Sequence, residues 1–122
     1  MYKEIKEKVL NKDNIIFDKK LALNYFADNY DAYNDFVKMY INNYNNIDKT
    51  LLDLYKSNNY LEITKIIHNI KGISIYTGCE LFYSYLCYFH KELYNKNYTN
   101  LLEQLNLFID FNKIIINYLM EE

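Results

Sequence analysis

The chain reads as an all-α protein, an up-and-down antiparallel four-helix bundle with short N-terminal helices, and three observations predict it. The 122 residues contain no proline and only two glycines, so little interrupts long helices except short turns. Apolar residues recur at three- and four-residue steps over most of the length, the spacing of helices that bury one face. No segment carries the alternating pattern of a strand. Four long or medium helices joined by short connections pack most simply as antiparallel neighbours. The whole of 1–122 is expected to be one domain, with 1–16 as an N-terminal lid segment and 17–122 as the bundle. A chain of this length buries roughly 65% of the surface it exposes when unfolded, enough for a proper core.

Taken in order, residues 3–10 form a short amphipathic helix with Ile5 and Val9 on one side, closed by an Asn-Lys-Asp-Asn break before Ile15, Ile16 and Phe17. Asp18 is the expected N-cap of a short helix through Leu21, Tyr25 and Phe26 that ends near Asp28 and Asn29, and Asp31 the cap of the next. That next helix is expected to be long. Its apolar positions run from Phe36, Val37 and Tyr40 to Leu51, Leu54 and Tyr55, although the Asn pairs at 42–43 and 45–46 weaken its middle. Tyr60 or Leu61 opens a helix with the core stripe Ile63, Ile66, Ile67, Ile70, Ile73 and Thr77. Gly78 breaks it, and Cys79 starts another, with Phe82, Tyr85, Leu86, Phe89 and Leu93 inward. Thr99 is the expected cap of the last helix. Leu101, Leu102, Leu105, Phe108, Ile109, Ile115, Ile116 and Leu119 give that helix more apolar surface than one bundle seam needs, and the N-terminal lid is expected to cover the excess.

Composition narrows the function classes. The formal charge is −2, with 14 basic residues, all lysine, against 16 acidic ones and no basic block, so nucleic acid is not an expected partner despite the fifteen tyrosines. Without arginine, any phosphate recognition must use lysine as a point charge rather than a bidentate fork. Cys79 and Cys87 are too few for a disulfide framework and suit small core positions in a reducing, cytoplasmic setting. The start lacks the apolar core of a signal peptide, and Leu81 to Phe89 is too short to span a bilayer, so no membrane association is expected. The abundance of Asn, Lys, Ile and Tyr fits an AT-rich bacterial genome.

The chemistry concentrates in one segment. Both glycines of the protein, Gly72 and Gly78, lie close after His68. A glycine inside a helix costs about 1 kcal/mol relative to alanine, so Gly72, one turn after His68 on the same face, needs a reason, and access to the imidazole supplies one. Lys71, three residues after His68, can hold positive charge beside an anion carried on the ring. His68 lies off the apolar stripe. Its face also holds Leu61, Thr64, Lys65 and Ile75, polar and basic at the centre with apolar ends, which suits docking of a partner. At 1.5 Å per residue, His68 sits about 15 Å from the turn at Gly78, in mid-bundle.

His68-x-x-Lys71-Gly72, with Gly78 downstream, resembles the signature of histidine phosphotransfer domains, and the helix order from about Phe17 to Met120 is similar to that family as well. The chain departs from the family at Ile67, where a small residue is usual, and at Ile73, Ile75 and Tyr76, where small residues or Asn are frequent. The resemblance implies a phosphorelay carrier in two-component signal transduction. His68 would be the phospho-acceptor, taking a phosphoryl group from a receiver-domain aspartate and passing it to another receiver, with Lys71 stabilising phosphate and Gly72 leaving access. Response-regulator receiver domains are then the partners, with a hybrid sensor histidine kinase as a further one. The protein itself needs no cofactor and no kinase activity, because Mg²⁺ is expected on the partner receiver, and no Gly-rich phosphate loop for ATP is present.

Other readings stand beside this one. His90, brought to the level of His68 by a hairpin centred near Gly78, either faces solvent beside Lys91 and Glu92 or orients the phosphorylated ring, at a place where relatives often carry Glu or Gln. Cys79, Cys87 and His90 fall short of the four ligands of a structural zinc site, so no metal is expected. Ser74 is a packing residue, since nothing at its spacing serves as a base. The alternative function is a helical adaptor or inhibitor that binds a receiver or kinase without carrying phosphate. A monomer is expected, the rival being a homodimer through the last helix.

Overall fold

The computed structural model describes residues 1–121. Every regular element among them is helical: α1 (Tyr2–Leu10), a 3₁₀ turn (Lys12–Asn14), α2 (Lys19–Asn24), α3 (Tyr30–Tyr44), α4 (Ile47–Lys56), α5 (Tyr60–Ser74), a second 3₁₀ turn (Ile75–Thr77), α6 (Glu80–Tyr94) and α7 (Leu101–Met120). The apolar stripes meet in one core. Ile63, Ile67 and Ile70 of α5, Phe82, Tyr85 and Leu86 of α6, and Leu105, Phe108 and Ile115 of α7 are fully buried. The α5 and α6 helices make the most extensive helix–helix contact, α4 lies against both α5 and α7, and α3 packs on α7. No helix among the described residues is long and apolar enough to cross a membrane.

The segment expected to be one long helix is two. Its ladder breaks at Asn46, whose backbone leaves helical geometry at φ −117°, ψ 27°. Asparagine competes for backbone hydrogen bonds with its own side chain, which makes the Asn45-Asn46 pair the weak point. Packing completes the break. Asn112 of α7 donates from its side chain to the carbonyl of Tyr44 at 3.1 Å, satisfying an acceptor left open at the end of α3. The same amide accepts from the buried Tyr40 hydroxyl at 2.7 Å. Asn112→Ala removes both bonds and strands a hydroxyl in the core. The expected loss is about 2 kcal/mol, read as a drop in the denaturant midpoint.

Two expected caps are also corrected. Asn29, not Asp31, caps α3 by accepting from the Ala32 amide at 3.1 Å, because the preceding helix closes earlier than its apolar pattern suggests. It ends at Asn24, and Ala27 and Asp28 turn the chain with φ of 52° and 60°. Thr99 does not cap α7. Its amide donates to the Asn97 side chain at 3.4 Å, and Asn100 occupies the N-cap position without a side-chain cap bond. Asp18 does cap α2, through the Leu21 amide at 3.0 Å.

With so few glycines, other residues take left-handed geometry at helix ends. Asn58 (φ 56°) and Lys96 (φ 58°) each let the next amide reach back to the carbonyl five residues earlier, Asn59 to Leu54 and Asn97 to Glu92, both at 2.9 Å. The resulting short connections place α5 and α6 as a hairpin. The 3₁₀ turn and Gly78 form its closed end, where the aromatic rings of Phe26, Phe36 and Tyr76 cluster 5.4–5.8 Å apart.

The N-terminal segment lies over the helices that need cover. The α1 helix packs on α6 and α7, with Val9 buried, Tyr2 stacked near Tyr88 and Lys6 paired with Glu103. The hydrogen bond from Lys6 is the main reason that the Glu103 carboxyl is held below its ordinary range. Phe17 stacks on Tyr118 with ring centroids 3.8 Å apart, tying the start of the bundle to α7.

Candidate functional site

The α5 helix places His68 at mid-length, on the side turned away from its buried isoleucines. Asn59 starts the helix by accepting from the Glu62 amide, and Ile63, Ile67 and Ile70 fix its rotation by burial. His68, one residue past Ile67, is exposed. Gly72, one turn further, is exposed too, and a Cβ built there would meet nothing within 4 Å. This glycine is therefore not required by close helix packing. It leaves open space beside the imidazole.

The α6 helix brings a second ring to the first. The imidazoles of His68 and His90 lie with centroids 4.9 Å apart and planes tilted by 41°, so the hairpin does set His90 at the level of His68. The simpler reading of His90 as a solvent-facing side chain beside Lys91 and Glu92 is incomplete. The ring is half-buried, and Lys71 Nζ lies 3.4 Å from its Nδ1. An ammonium offers three donors and no acceptor, so Nδ1 is the acceptor and a neutral His90 carries its proton on Nε2. Burial, then the charge of Lys71, then His68 hold the His90 pKa below its ordinary value. The groups that set its state are thus basic. Two imidazoles and an ammonium around open space favour an anion.

The other residues of the expected docking face differ in exposure. Leu61 is 68% exposed, a large apolar side chain left uncovered near the start of α5. Lys65 is exposed and stands 3.9 Å from Glu62. Thr64 is half-buried, its hydroxyl donating to the Tyr60 carbonyl at 2.8 Å. Ile75 is half-buried in the 3₁₀ turn rather than in the helix proper. Ser74 is fully buried and donates to the Lys71 carbonyl at 2.8 Å, in keeping with a packing role. Sequence reasoning missed Tyr94. It is 74% exposed, with its ring 6.2 Å from that of His90, and its position one turn after His90 was the available signal.

Elsewhere the chemistry is sparse. Cys79 is buried, with burial pushing its thiol pKa up, and Cys87 is half-buried. Among the described residues, no group of three or more His, Cys, Asp and Glu is placed to hold a metal ion. A cleft between α1 and α7 is lined by Val9, Ile15, Leu107 and Phe111, with Lys12, Asp110 and Lys113 as its charged residues. Comparison with family models, with curated proteins and with solved structures finds no match to this chain.

Proposed function

We propose that this protein is a phosphorelay phosphocarrier, in which His68 accepts a phosphoryl group from a receiver-domain aspartate and passes it to another receiver domain. The observation that carries the reading is the open space at Gly72 beside an exposed, mid-helix imidazole, with the Lys71 ammonium at the same site. Neutral imidazole is nucleophilic near pH 7, and a phosphoryl group on nitrogen retains high transfer potential. In the transfer, a ring nitrogen of His68 forms the N–P bond while the acyl O–P bond breaks. The aspartate leaves as carboxylate, and the proton on the other ring nitrogen stays in place. Little covalent chemistry is needed beyond positioning, so Lys71 supplies charge while the receiver brings Mg²⁺. The resemblance to histidine phosphotransfer domains supports the same reading. It makes the bundle an up-and-down antiparallel one, with α3 and α4 together forming the first long arm and α5, α6 and α7 the others. A bacterial, cytoplasmic two-component pathway belongs to this reading.

Substitutions at Gly72 test it directly. Gly72→Ala is expected to stabilise the fold by about 0.4–1 kcal/mol, since the added methyl enters open space and the unfolded chain loses freedom. Gly72→Leu should keep the helix yet obstruct the approach of a receiver, where a 1 Å misplacement can cost about 100-fold in rate. Thermal melts with receiver-to-protein transfer assays measure both. A leucine variant that exchanges phosphate at the wild-type rate removes the argument from access. Receiver binding without any transfer, retained in His68→Ala, would instead mark an adaptor.

A further inference from the structure

His90 is half-buried at the same site, and the transfer step drawn above makes no use of its titration. It faces His68 and Lys71 on α5, while Tyr94, Lys91 and Glu92 neighbour it on its own helix. Glu92 is engaged by the Asn97 side-chain amide and lies beside Tyr88. The α1 helix, also packed on α6, meets it through Tyr2 and Tyr88. Glu92 keeps its charge but is held by Asn97; burial, Lys71 and His68 all favour the neutral ring, with Nδ1 accepting from Lys71.

We propose that His90 takes up a proton when His68 is phosphorylated, so that phosphate on the carrier and a proton on its neighbour bind cooperatively. The inference rests on the phosphocarrier reading and deepens it. A phosphoryl group on His68 brings its anionic oxygens, net about one to two negative charges according to whether the His68 ring keeps its other proton, beside a ring whose centroid is 4.9 Å from that of His68. Lys71, drawn to the phosphoryl oxygens, releases Nδ1, which takes a proton from solvent. The imidazolium then donates a charge-assisted hydrogen bond to the phosphoryl group. No oxidant or further reactant enters.

The sign of the pH effect follows by linkage. Phosphate raises the proton affinity of His90, so protons must raise the retention of phosphate by the same factor. Between the titration midpoints of His90 in the resting and the phosphorylated protein, falling pH favours phospho-His68. Outside that window the coupling is flat. An anion within about 4–6 Å of a histidine moves its midpoint by roughly 1–3 pH units, and each pH unit is about tenfold in the transfer equilibrium.

Imidazole NMR of the whole protein decides the matter. The His90 ring signals are titrated before and after labelling with phosphoramidate, and the midpoint is expected to rise by at least about one pH unit in the labelled protein. Lys71→Ala, left unphosphorylated, should raise the midpoint toward the ordinary value of about 6.5, because an adjacent charge has been removed. A merely structural His90 predicts no movement on labelling. Label on His68 with an unmoved midpoint overturns this inference alone. Absence of label on His68 overturns the phosphocarrier reading together with it, while the Lys71→Ala titration still reports on the resting contact.

Discussion

His68→Gln is expected to abolish phosphoryl labelling of the protein, whether the donor is a phosphorylated receiver or phosphoramidate. Glutamine keeps a polar side chain on the exposed face of α5, so the fold should persist while the nucleophile disappears. The label on the wild-type protein should be acid-labile and stable to alkali, as an N–P bond requires. Circular dichroism of the variant should match the wild type. Label persisting in His68→Gln would place the phosphate on another residue, with His90 the first to examine, since its ring adjoins that of His68. Lys71→Ala should slow transfer with little change in melting temperature, because the helix and its buried isoleucines do not depend on the ammonium.

The largest effect on folding is expected from Gly78→Ala, in contrast to the gain at Gly72. Gly78 has φ of +81°, in the left-handed region, where an L side chain costs about 1–2 kcal/mol. A Cβ there would stand 2.7 Å from the Asp18 carbonyl oxygen and 3.2 Å from its carbon, and backbone cannot swing aside as a flexible side chain can. The same residue accepts from the Asp18 amide at 2.9 Å, which ties the α5–α6 turn to the start of α2. Strain, overlap and a weakened hydrogen bond together should destabilise by about 3–4 kcal/mol, seen in urea unfolding as a lower midpoint. A variant as stable as the wild type would mean that the turn relaxes to another geometry. The two glycines are thus expected to respond to alanine in opposite directions.

The helices and the centre of the candidate site were legible in the chain because both depend on local periodicity. The spacing of Ile63, Ile67 and Ile70 sets which side of α5 is buried, and that leaves His68, Lys65 and Gly72 off the core. Gly78 announced the hairpin, and a hairpin centred near it brought His90 to about the level of His68. The break between α3 and α4 was only half legible. The asparagines weakened the helix on paper, but Asn112, dozens of residues away in α7, satisfies the Tyr44 carbonyl and engages Tyr40. Likewise, Asp28 and Asn29 signalled the end of α2, but the left-handed turn also takes in Ala27, a residue type that gives no turn signal, so the helix stops earlier than its sequence suggests. The orientation of His90 is the plainest case. Sequence spacing brought it to the right level, yet packing against α5 and the approach of Lys71 decided that its ring meets His68 as well as water. Helical period is written in neighbouring residues, whereas the pairing of polar groups is chosen when distant helices exclude water and each buried donor and acceptor must find a partner.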